Sequence, residues 1–69
     1  MPYYCVNTNA QPNGDHEVHD TGSCARLPYP SNRLDLGFHA TCHGAVQQAK
    51  RSYSTANGCA YCSPACHTS

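Results

Sequence analysis

The chain has 69 residues, four Lys+Arg against four Asp+Glu, a formal charge of zero, one Phe and no Trp. Such a balance creates no field to draw in a polyanion, no apolar run approaches the length of a membrane span, and so short a chain buries too little surface for a self-sufficient core. Domains of this size usually need a metal, disulfides or a partner, and six cysteines are the obvious staple.

Tyr3-Tyr4-Cys5-Val6 joins aromatics to a β-branched residue and predicts a first strand ending at Asn7, with Cys5 packed within it. Residues 7–15 are almost all turn formers, and Asn13-Gly14 suits a positive-φ turn, so a surface loop is expected there. A second strand follows at His16-Glu17-Val18-His19, where alternation sends Val18 to one face and His19 to the other. That alternation also separates His16 from His19, and the segment is one residue short of H-E-x-x-H, so protease chemistry is not expected. Two prolines, Pro28 and Pro30, make the next stretch irregular.

Leu34-Asp35-Leu36-Gly37-Phe38 alternates with the period of a half-buried strand. Thr41 is placed to cap a helix whose apolar stripe is Cys42, Ala45, Val46, Ala49 and Tyr53, with Cys42 read as a small buried hydrophobe. Asn57-Gly58 ends the helical region and leads into Cys59-Ala60-Tyr61-Cys62-Ser63-Pro64-Ala65-Cys66-His67. The predicted fold is a small α+β domain spanning residues 1–69, a short antiparallel sheet of about three strands with one helix.

The two-residue gap between Cys59 and Cys62 lets a tight turn aim both thiols at one point, as a tetrahedral metal requires. For the other half-site we select His19 and Cys24, which flank a glycine turn (Gly22-Ser23) after the second strand. Cys66 and His67 are alternates for the last ligand. The ion is expected to be zinc, bound as a folding staple with every position filled by protein, which leaves no place for an activated water and argues against an enzyme. The opening Met1-Pro2-Tyr3 has no basic, apolar leader, so the chain read as a whole product is expected in the cytoplasm, where thiols stay reduced and close pairs favour metal. A processed secreted peptide with disulfides is the other reading of the same cysteines.

The pattern His19-x4-Cys24, then Leu34-x-Leu36-x-Phe38-x-x-Thr41 leading into Ala45 and Ala49, then Cys59-x2-Cys62 and Pro64, resembles the Ada-type metal-binding domain and its small stand-alone bacterial relatives. The resemblance covers residues 16–66 and implies a ligand pair before a strand and helix, with the C-x-x-C completing a zinc site. In the DNA-repair member the first ligand is a cysteine whose thiolate accepts a methyl group; the matching position here is His19, a poor substitute for that nucleophile. Methyl transfer is therefore not expected. The reading is a zinc-finger-like interaction module whose partner is unknown, with a protein as the candidate class. Two alternatives are a nucleic-acid-associated zinc domain using Arg26, Arg33, Lys50 and Arg51, and a thiol redox sensor with a labile ligand near Cys66.

Overall fold

A computed structural model describes residues 3–12, 14–22, 24 and 27–67. Asn13, Ser23 and Arg26, which enter the predicted turns and the predicted basic patch, lie outside the described residues. The α+β architecture is present, with strands β1 (Tyr3–Asn7), β2 (His16–Asp20), β3 (Arg33–Phe38) and β4 (Ala56–Gly58) and helix α1 (Cys42–Ala49). Two differences from expectation matter: the sheet has four strands in the order β3-β1-β2-β4, and it is mixed. β1 pairs antiparallel with β2 and β3, whereas β4 runs parallel to β2. A parallel pair needs a crossover, and here the connection between β2 and β4 contains β3 and α1.

The register sorts the side chains. Val6 opposes Val18 and Cys5 opposes His19, so adjacent residues of each strand divide between two faces. One face carries Tyr4, Val6, Val18, Leu36 and Ala56 and packs against Cys42, Ala45 and Ala49 of α1. The small residues on α1 let the helix lie close to the sheet. The β1–β3 register shifts between Tyr4 and Cys5, so that Leu36 is the extra residue of β3, and Gly37 beside it adopts φ 76°.

The helix is shorter than its apolar stripe. Lys50 caps it, and Tyr53 packs from the following turn, stacking on His16 with ring centroids 4.0 Å apart. Thr41 occupies the N-cap position but makes no side-chain capping bond. Cys5 is buried on the sheet face opposite α1, together with His19. Arg33 and Asp35 share that face by register, and Arg33 Nε donates to the Pro28 carbonyl at 2.8 Å. Lys50 and Arg51 follow α1, which packs on the other face of the sheet from Arg33. No helix among the described residues is long and apolar enough to cross a membrane.

Candidate metal centre

Three separate pieces of backbone deliver the site. β2 supplies His19 from the face opposite Val18; both side chains are fully buried, at 1% and 0% exposure, because each covers a different side of the sheet. The turn after β2 is closed by the Cys24 N–H donating to the Asp20 carbonyl at 3.0 Å, which swings Cys24 back beneath the strand. β4 extends its parallel pairing one residue further, with the Cys59 N–H donating to the Val18 carbonyl at 2.9 Å. The Cys59–Ser63 turn then closes through Ser63 N–H to the Cys59 carbonyl at 2.8 Å.

These pieces bring His19, Cys24, Cys59 and Cys62 together, with one ligand atom from each lying within 4.8 Å of all the others. His19 Nδ1 is 3.4 Å from Cys24 Sγ and 3.8 Å from Cys62 Sγ, and the Cys24 and Cys59 sulfurs are 3.9 Å apart. Zn–S bonds of about 2.3 Å and a Zn–N bond of about 2.0 Å at tetrahedral angles put such donors about 3.5–3.8 Å apart. The cluster is compatible with a metal-binding module, and these groups have the spacing to hold an ion.

Backbone N–H groups face two of the sulfurs. The Asp20 N–H donates to Cys62 Sγ and the Tyr61 N–H to Cys59 Sγ, each at 3.4 Å, and Ser63 Oγ lies 3.9 Å from Cys62 Sγ. Glu17, two residues before His19 on the same face, sets its carboxylate 3.6 Å from His19 Nε2. That is an electrostatic contact rather than a hydrogen bond, but it favours the proton on Nε2 and leaves Nδ1 free to bind a metal. Neither Glu17 nor Ser63 stood out in the sequence. A carboxylate at i−2 from a strand histidine was the signal that could have found Glu17.

Burial pushes the His19 imidazole below its ordinary value of 6.5; Glu17 opposes this and Arg33 adds to it. Burial likewise raises the Cys62 thiol, the Cys24 contact adding to the effect, so metal binding has to displace its proton. For His19 the neutral ring is the folded form. Below 6.5 the unfolded chain takes up a proton that the folded chain resists, so this contribution is complete above 6.5 and is lost as the pH falls through the lower folded value. The urea midpoint of metal-free protein should accordingly decline on acidification below 6.5, and His19→Gln should flatten that decline. A wild-type midpoint indifferent to acid in that range would contradict it.

Gly58 permits the close approach of the C-terminal turn. A Cβ there would sit 2.7 Å from Cys66 Cβ, 2.8 Å from the Cys66 backbone carbon and 2.9 Å from the Ser63 carbonyl oxygen. Because two of those atoms are backbone, no side chain can swing aside. Gly58→Ala should cost about 1–3 kcal/mol in urea unfolding, and an unchanged midpoint would show that the turn yields freely.

The two alternate ligands lie elsewhere. His67 Nδ1 is 3.0 Å from the Gly58 carbonyl, to which its ring N–H donates, and Cys66 forms a disulfide with Cys42. Cys42 does pack into the core, but as half of this crosslink rather than as the free thiol that was expected. The physical reason is the short 3-10 helix Pro64–Cys66, which turns Cys66 onto the first residue of α1. No family model matches the chain, and no curated protein or solved structure does either.

Proposed function

We propose that the protein is a zinc-binding interaction module in which one ion, held by His19, Cys24, Cys59 and Cys62, fastens β2 to the C-terminal turn. The convergence of four buried or half-buried donors from three backbone segments carries this reading. Their softness favours zinc over the hard divalent cations. Since protein groups fill all positions of this tetrahedral ion, it activates no water, and its role is structural rather than enzymatic. The likeness to Ada-type domains belongs to the same proposal, with His19 in place of the methyl-accepting thiolate.

The partner is a protein. Tyr3 and Phe38 are exposed and meet edge to face at 6.1 Å beside the β3 edge, and Tyr61 projects from the knuckle. The zero formal charge favours this over nucleic acid, as does the placing of Arg33 on the sheet face opposite the helix that Lys50 and Arg51 follow. A cytoplasmic setting is kept on the free thiols of Cys5, Cys24, Cys59 and Cys62. In that setting the Cys42–Cys66 disulfide faces constant exposure to reductant, an observation that also favours a redox-responsive role.

Native mass spectrometry of the oxidised, untagged chain tests the reading. One zinc per chain is expected, lost in Cys24→Ser and Cys62→Ser. An ordered chain that retains no zinc after equilibration with it would overturn the proposal.

A further inference from the structure

A second group of donors sits on the other side of the sheet from the first. Cys42 and Cys66 are the disulfide partners, and His43 follows Cys42 in the first turn of α1. One ligand atom from each of the three lies within 4.8 Å of the others. Their Cα frame is close, with Cys42 and Cys66 6.2 Å apart. His43 is exposed, and together with Cys66, Lys50 and Asn57 it lines an open groove of about 560 Å³. The cysteines themselves are covered, at 8% and 7% exposure. The group therefore has a protein-covered side bearing two sulfurs and a solvent side bearing an imidazole.

We propose that Cys42, His43 and Cys66 are a second zinc site, closed while the disulfide stands and opened when it is reduced. None of its residues belongs to the first centre, so the inference goes beyond the proposed function and does not depend on it. The opening step needs a dithiol reductant. That reductant supplies two electrons and two protons, the Cys42–Cys66 bond breaks to give two thiols, and the reductant leaves as its own disulfide. Zinc then forms a bond to each sulfur and one to the His43 ring, and both thiol protons pass to solvent.

Geometry and charge fit this sequence. Once the covalent bond is gone the sulfurs separate to non-bonded contact, about the 3.8 Å edge of a tetrahedral zinc–thiolate site. Two thiolates neutralise the dication. Cys42 is the first residue of α1. The fourth position faces the groove, where water or a partner's side chain completes the coordination. The disulfide and the ion are thus alternative fasteners for the same junction, between the start of α1 and the C-terminal turn.

The experiment is zinc stoichiometry on the full chain by native mass spectrometry, with thiol alkylation as a second readout, in oxidised and dithiol-reduced samples given excess zinc. One additional zinc is expected on reduction, with Cys42 and Cys66 then protected from alkylation. Cys42→Ser should abolish the additional ion. His43→Ala, an exposed change that leaves the fold intact, should weaken it by at least about tenfold without altering the zinc count of the oxidised chain. A reduced wild type that gains no zinc and leaves Cys42 and Cys66 open to alkylation would overturn the proposal, as would an extra zinc insensitive to both substitutions. Failure of the first centre would read differently, as no zinc in the oxidised chain.

Discussion

Cys59→Ser should melt at least about 12–24 °C below the zinc-loaded wild type. Cys59 is fully buried, its N–H extends the β2–β4 ladder to the Val18 carbonyl, and its sulfur accepts from the Tyr61 N–H. One residue therefore joins β4 to the knuckle through its backbone and to the donor cluster through its sulfur, and the substitution removes the second link. Little else is available to hold that junction. The core is Tyr4, Val6, Val18 and Leu36 with three alanines and the disulfide cysteines, and it contains no buried Phe. Structural zinc contributes about 10–16 kcal/mol in small zinc-finger peptides, comparable with or larger than the whole stability of about 5–15 kcal/mol of an ordinary domain. A serine hydroxyl is a poor substitute for a thiolate toward zinc. Even a loss of about 3 kcal/mol would lower the thermal midpoint by about 12–24 °C in a domain this small. Circular dichroism melts with zinc and with a strong chelator provide the measurement. Wild type plus chelator should resemble Cys59→Ser plus zinc, and near-identical melts for all samples would show that the junction holds without metal.

The second large effect belongs to the Cys42–Cys66 crosslink. It closes a loop with a sequence separation of 24, and chain entropy alone assigns such a closure about 3 kcal/mol at 25 °C. Cys42→Ser should therefore melt about 12–24 °C below the oxidised wild type. The loss is not confined to the crosslink, because Cys66 packs on Gly58 and Gly58 pairs with Val18. Loosening the C-terminal turn should also increase exchange of the amides of β4 and of Cys59. Equal melting of the variant and the oxidised wild type would mean that the bond adds nothing to the packing already present. Reduced wild type in zinc should fall between the two, since the variant can neither crosslink nor load the second group of donors.

The pieces of the fold with strong local signals were readable directly. Aromatic and β-branched residues located β1, whose Tyr4, Cys5 and Val6 are buried on both faces, and alternation located β3 and divided His19 from Val18 in β2. The stripe of Cys42, Ala45 and Ala49 located α1. β4 was missed because Ala56-Asn57-Gly58 has no strand propensity. It is a strand only because the open edge of β2 offers partners to its backbone, and because the glycine lets the C-terminal turn approach.

The same division runs through the chemistry. A C-x-x-C after a glycine is a local statement about a turn, so the sequence alone determined that Cys59 and Cys62 lie on one knuckle, and that His19 leaves its strand away from Val18. Which distant groups face one another is a property of the assembled sheet. Only the tertiary structure decided that Cys24 and the knuckle meet beneath His19 and that β4 lies parallel to β2. It also decided that Cys66 turns away from the knuckle to join Cys42, since a crosslink depends on the separation of two side chains in space and leaves no mark on their spacing along the chain.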